Sequence, residues 1–304
     1  MSFTSDVREE LARLEPECPD CRRAQLSALT RTSGRLSQNY RLELSTETAS
    51  VARNAVTLLH SVYGLRTEST IRRSVLHKTY NYLITVPPQP GLREALEDLG
   101  IVSSQGLELG APSTLVEKDC CAAAYLRGAF LGSGFISDPR GSFHFEMSCG
   151  HEEFAQALVG LMARRDIPAR FIQRRSSYVV YLKGADPIVD FLALTGAHRC
   201  VLAMENARVT KSVRNDVNRR LNAEIANQAK TIQASMNQIA AIEALREQGL
   251  IESLSPALQQ FIQLREANPD VSLRELGELA DPPLSKSAVN HRMRRIEELA
   301  ASLG

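Results

Sequence analysis

The sequence predicts an α+β chain in which two repeats of order αββαββα form a saddle, followed by an all-α helix-turn-helix domain. Three observations predict it. The first two-thirds of the chain matches itself at an offset of about 100 residues. Period-two alternation, the mark of a half-buried strand, occurs inside that part and disappears after Ala197. The remainder carries helix caps and helix breaks at spacings that suit a small helical domain.

The elements follow in order. Residues 1–17 read as an N-terminal helical segment. The first repeat, 18–117, opens with Cys21-Arg-Arg-Ala-Gln-Leu and an apolar helical run to Ser33-Gly34. The second, 118–197, opens with Cys121-Ala-Ala-Ala-Tyr-Leu and runs to Ser133-Gly134. Alternating runs come next, Tyr40/Leu42/Leu44 in one repeat and Phe143/Phe145/Met147 in the other. Helical stretches follow at Thr48 to Tyr63 and His151 to Arg164. Strand pairs are expected at 68–73 with 80–86 and at 169–174 with 177–183, and closing helices at 91–99 and 185–194. Residues 198–250 read as a helical linker. His198 to Glu247 holds no Pro or Gly, and a single helix of that length is unusual in a globular domain, so a break is expected within it.

Residues 251–304 form the terminal domain. A helix from about Ser255 to Glu266 places Leu258, Phe261, Ile262 and Leu264 on one stripe, and Asn268-Pro269 stops it. Ser272 with Glu275 three residues later makes a capping-box pattern. Pro282-Pro283 forces a break, and Ser285 can cap the next helix. That helix carries Ala288, Val289, Met293, Ile296 and Leu299 on one side. Lys286, Ser287, Asn290, His291, Arg292, Arg294 and Arg295 face the other way. Arg can fork onto guanine, Asn onto adenine, and Ser or Lys can hold phosphates near a helix start. With Ser272, Arg274 and Ser285, these residues are the expected DNA contacts, and His291 reads as a base or phosphate contact.

Net charge is +1, so overall charge does not point to nucleic acid; its distribution does. From Leu284 to Ile296 there are four cations and no acid. From Arg22 to Lys78 the only acids among many cations are Glu43, Glu47 and Glu68. Aromatics are 5% of residues and Trp is absent, which argues against a stacking surface for sugars or single strands. No apolar run is long enough to span a bilayer, and the N-terminus lacks an apolar leader, so a cytoplasmic, nucleoid location is expected. Cys18-Pro-Asp-Cys21 has half the spacing of a zinc site. Adjacent Cys120-Cys121 is a poor second half, and the six cysteines read as free thiols. No metal or other cofactor is expected.

The two repeat-opening helices resemble the LAGLIDADG motif of homing endonucleases, most clearly at Tyr125-Leu-Arg-Gly-Ala-Phe-Leu-Gly-Ser-Gly-Phe-Ile136 and more weakly at Leu26 to Gly34. Small residues four apart, Gly128 and Gly132 with Ala24 and Ala28 opposite, let two helix backbones touch. In those endonucleases an acid just before the last Gly of each motif holds the catalytic divalent metal. Here those positions are Ser33 and Ser133, and a neutral hydroxyl does not replace a carboxylate for Mg²⁺. Asp138 lies in the turn sequence Ser-Asp-Pro-Arg-Gly and is read as a turn residue. No enzymatic activity is expected.

A degenerate LAGLIDADG pair joined to a helix-turn-helix is similar to the WhiA family. The resemblance runs from about Cys18 to Leu299 and is most specific at 125–139 and 273–298. It implies a sequence-specific DNA-binding transcriptional regulator of cell division, chromosome segregation and sporulation, acting on double-stranded promoter DNA. It also implies a protein partner such as a WhiB-like iron–sulfur regulator or RNA polymerase. The alternative left open is a nucleoid-associated or scaffold protein whose saddle binds a protein.

Overall fold

The structure is a computed structural model that describes residues 2–16, 18–37, 40–73 and 80–303; Lys78, the last cation of the first basic stretch, lies outside these. Two compact units divide the chain, residues 1–211 and 212–304.

The first unit begins with α1 (Phe3–Ala12), opened by the Ser2 hydroxyl, which accepts the Ser5 N–H at 3.2 Å. This helix is part of the core, since Val7 and Leu11 are fully buried. It also docks on the second repeat. The Thr4 hydroxyl donates to the Ile136 carbonyl at 2.6 Å and accepts the Ile136 N–H at 2.9 Å.

The first repeat is α2 (Pro19–Ser33), β1 (Gly34–Leu36), β2 (Leu42–Thr46), α3 (Ala49–Tyr63), β3 (Glu68–Arg73), β4 (Tyr80–Val86) and α4 (Leu92–Asp98). A short hairpin, β5 (Val102–Ser103) and β6 (Gly106–Leu107), leads to the second repeat. The second repeat is α5 (Asp119–Ser133), β7 (Gly134–Ile136), β8 (His144–Cys149), α6 (Glu152–Ala163), β9 (Arg170–Arg174), β10 (Ser177–Lys183) and α7 (Ala185–Thr195). The αββαββα order is thus present twice, and the two antiparallel sheets share one topology, β1-β2-β4-β3 and β7-β8-β10-β9. The strands β1 and β7, entered directly from the helix ends, are too short to produce a readable alternation in the sequence.

The sheets turn one face to the central helices. Leu42, Leu44, Ile84 and Val86 do so in the first repeat, and Phe145, Met147, Val180 and Leu182 in the second, all essentially buried. Phe130, Phe145 and Phe191 meet with ring centroids 4.6–5.8 Å apart, so helix, sheet and closing helix share one aromatic contact. At the middle of this core α2 and α5 lie directly against each other. A Cβ added to Gly128 would stand 2.1 Å from the Gln25 carbonyl oxygen, and one added to Gly132 would stand 2.0 Å from Thr32 Oγ1. Helices approach this closely only where side chains are absent.

One expectation is corrected. Residues 198–247 form a single helix, α8 (His198–Glu247), without the expected break. The physical reason lies in its composition and its ends. Nothing in it breaks a helix, and local pairs such as Arg208–Glu205 and Arg219–Asp216 support the exposed turns. Glu10 accepts the N–H groups of Arg199 and Cys200 at 2.7 and 3.0 Å, satisfying the helix start. Its early residues Cys200 and Met204 join the core of the first unit, and its late residues Ile242 and Leu245 join that of the second.

The second unit adds α9 (Pro256–Ala267), α10 (Leu273–Glu278) and α11 (Lys286–Ala301) to the end of α8. Phe261, Ile262, Leu276, Val289, Met293 and Ile296 close around Ile242 and Leu245 as a separate core. Arg265 is almost completely buried inside it. Its guanidinium donates to the carbonyls of Val271 at 2.7 Å and Pro269 at 3.2 Å, holding the turn between α9 and α10.

Candidate nucleic-acid interface

The helix-turn-helix is assembled from caps outward. At Ser272 both halves of the capping box are present: the hydroxyl accepts the Glu275 N–H at 3.3 Å, and the Glu275 carboxylate accepts the Ser272 N–H at 2.8 Å. That backbone bond holds the Glu275 carboxyl below the usual carboxylate range, so the cap is ionised and intact at neutral pH. Ser285 caps α11 by accepting the Ala288 N–H at 3.3 Å, and its hydroxyl lies 3.0 Å from that of Ser287. One of the two hydroxyl protons is used in that Ser285–Ser287 bond, and the other can turn to an acceptor at the helix start.

Periodicity then orients α11. Val289, Met293 and Ile296 are buried, while Lys286, Ser287, Asn290, His291, Arg294 and Arg295 are exposed and Arg292 is half-buried. Lys286, Asn290 and Arg294, each four residues from the next, lie along one exposed side. Arg294 donates to Glu298 at 3.1 Å, Arg295 stands 3.8 Å from the same carboxylate, and Arg274 pairs with Glu278 at 3.2 Å. These are exposed pairs of small worth that a phosphate or base edge can displace. The Arg294–Glu298 pair was legible in the four-residue spacing, though the sequence reading did not include it.

In the first unit, α2 and α5 end at Ser33 and Ser133. Each hydroxyl turns back onto its own helix, to Leu29 O at 2.8 Å and Ala129 O at 3.4 Å. Each sheet brings one acid near, and each acid is neutralised: Glu43 by Arg41 at 3.1 Å and Glu146 by Arg174 at 3.3 Å. Asp138 accepts the Arg140 N–H at 2.9 Å and pairs with the Arg140 side chain, which holds its carboxyl down at about 2. It is a turn residue. Among the described residues, no group of three or more His, Cys, Asp or Glu converges at these helix ends.

The basic stretch from Arg22 does not form one field. Arg23 pairs with Asp98, and Arg31, half-buried, donates to the Gly100 and Glu108 carbonyls. Arg35 and Arg72 remain on the outer face of the first sheet.

Across its whole length this chain is 43% identical to the "Probable cell division protein WhiA" of Desulforamulus reducens, covering 96% of that protein. The chain belongs to the WhiA family. The protein of the same name from Symbiobacterium thermophilum is 44% identical, with 100% of this chain and 98% of that one covered. Three family models tile the sequence: the WhiA N-terminal LAGLIDADG-like domain over 19–102, the WhiA LAGLIDADG-like domain over 122–214, and the WhiA C-terminal HTH domain over 217–300. The fold is shared with the crystal structure of full-length WhiA from Thermatoga maritima, at TM-score 0.62 and 23% identity, covering 100% of this chain and 99% of that one. No helix among the described residues is long and apolar enough to cross a membrane.

Within this WhiA helix-turn-helix, one residue was missed by the sequence reading. Gly277 sits in α10 where a Cβ would stand 2.8 Å from the Leu284 carbonyl oxygen and 2.9 Å from Val289 Cγ2. The turn and α11 therefore close on bare backbone. Gly277→Val should cost at least ~1–3 kcal/mol in the second unit and misplace α11. Thermal unfolding followed alongside DNA binding checks this, and unchanged values in both would refute the close approach.

Proposed function

We propose that this WhiA-family protein is a sequence-specific DNA-binding transcriptional regulator serving cell division, with a LAGLIDADG-like unit that does not cut DNA. The observation that carries the reading is α11, a serine-capped helix whose buried side is apolar and whose exposed side offers Lys286, Ser287, Asn290, His291, Arg294 and Arg295. Such a helix can enter the major groove while Ser272, Arg274 and Ser285 at the neighbouring helix starts meet phosphates. Arg292, half-buried, lies off the line of Lys286, Asn290 and Arg294 and is placed to meet the DNA backbone. Two serines at the former acid positions, each bonded to its own helix, support a binding role for the LAGLIDADG-like unit. The family name supports cell division as the setting. Chromosome segregation, sporulation, a nucleoid location and partnership with a WhiB-like regulator or RNA polymerase extend the same reading.

The test is binding to a duplex enriched by genome-wide crosslinking, against a scrambled duplex, over several salt concentrations with Mg²⁺ or Mn²⁺ present. The expected result is preference for the enriched duplex, within the ~10³–10⁷-fold span of specific regulators, and intact strands afterwards. Equal affinity for both duplexes would overturn sequence specificity. Metal-dependent nicking would overturn the non-catalytic reading.

A further inference from the structure

The sequence reading set Cys120 and Cys121 aside as partners for Cys18 and Cys21. The fold puts all four together. Cys18 and Cys21 stand at the start of α2, Cys120 and Cys121 in the first turn of α5, and the four Sγ atoms lie within 4.8 Å of one another. We propose that these cysteines form a structural zinc site that joins the two repeats.

The distances carry the argument. Four thiolates around one zinc at about 2.3 Å define a tetrahedron whose edge is about 3.8 Å. The Sγ–Sγ separations are 3.3 Å for 18–21, 3.7 Å for 18–121, 3.7 Å for 21–121, 3.9 Å for 18–120 and 4.0 Å for 120–121. The sixth pair, Cys21–Cys120, falls within 4.8 Å, so the set is spaced close to what a single ion requires. An iron–sulfur cluster places several atoms between its cysteines and holds their sulfurs farther apart. A disulfide would use two of the four and leave the others unexplained.

The surroundings fit the charge. Cys18 is the N-cap of α2 and makes no capping bond, and α5 begins one residue before Cys120, so two helix N-termini point at the sulfurs. Their partial positive charge favours thiolate. Lys118, bridged to Asp20 at 2.8 Å, closes the rim as a neutral pair. Cys21 and Cys121 are buried and Cys18 and Cys120 half-buried, so a closed structural ion is favoured over a catalytic one with an open position. The other cysteines, Cys149 and Cys200, stand outside the group. The chelate pairs come from helices 100 positions apart that pack along each other, so the ion would clamp them at the end remote from Ser33 and Ser133.

The experiment uses the full-length protein purified under reducing conditions. Elemental analysis should find stoichiometric zinc, and a thiol-modifying mercurial should release it to a colorimetric indicator. Anaerobic Co²⁺ titration of the metal-free chain should give the charge-transfer and d–d bands of a tetrahedral thiolate site. Cys18→Ser and Cys121→Ser should abolish that spectrum, and Cys149→Ser and Cys200→Ser should leave it intact. Cys18, half-exposed, is the variant expected to stay folded, checked by circular dichroism. A wild-type chain that takes no Co²⁺ into a tetrahedral thiolate site overturns the proposal. So does a cobalt spectrum that survives in folded Cys18→Ser, or a Cys18–Cys21 disulfide in the reduced preparation.

Discussion

Gly128→Ala, a change of one carbon, should melt the first unit several degrees earlier than the wild-type protein. The added Cβ would stand 2.1 Å from the Gln25 carbonyl oxygen, 2.9 Å from its carbon and 3.0 Å from the Gln25 Cα, all backbone atoms of α2. A flexible side chain could swing aside, but a helix backbone can yield only by moving the whole helix. Overpacking of this kind costs at least ~1–3 kcal/mol, a sizeable part of a domain's ~5–15 kcal/mol. Gly132→Leu meets the Thr32 side chain first and should be the milder of the two at its Cβ, though its larger side chain still wedges the pair. The control is Gly160→Ala on the exposed side of α6, where nothing lies within 4 Å of the new Cβ. It should be neutral or stabilising by at most ~1 kcal/mol, because alanine is the better helix former. Calorimetry on the three variants checks this, and equal melting of Gly128→Ala and Gly160→Ala would mean that α2 and α5 do not touch there.

The second large effect belongs to α11. Asn290→Ala and Arg294→Ala should each lose ~1–3 kcal/mol of affinity for the target duplex while leaving scrambled DNA nearly unchanged, as expected when a forked base contact is removed. Arg294 must first leave Glu298, an exposed pair whose loss costs little. Lys286→Ala should weaken target and scrambled DNA alike and lower the salt slope by about one unit, the behaviour of a phosphate contact. Anisotropy titrations at several salt concentrations separate the two patterns. If Asn290→Ala and Arg294→Ala alter neither duplex, α11 is not the reader and recognition passes to the outer faces of the sheets.

Legibility differed by element for physical reasons. The strands at 68–73, 80–86 and 177–183 were readable to the residue, although β3 is exposed along its whole length and neither β4 nor β10 alternates strictly. The three-residue strands β1 and β7 were not, since so short a run contains no period. The exposed side of α11 followed from its caps and its 3.6-residue repeat. The burial of Arg265 and the anchoring of Arg31 on two carbonyls did not, because an arginine in sequence gives no sign of the carbonyls that will satisfy it.

By itself the sequence determined the doubling of helix, alternating strand, helix, strand pair and closing helix, the serines at 33 and 133, and the polar side of the last long helix. These are local properties, set by periodicity, capping and residue identity within a few turns. Tertiary structure alone decided which distant groups meet: Gly128 on the Gln25 backbone, Gly277 under the turn to α11, and Cys18 and Cys21 beside Cys120 and Cys121. It also decided that α8 runs unbroken, with its first residues in one core and its last in another. Each depends on how separate helices pack, and packing distances between residues 100 apart leave no period in the chain to read.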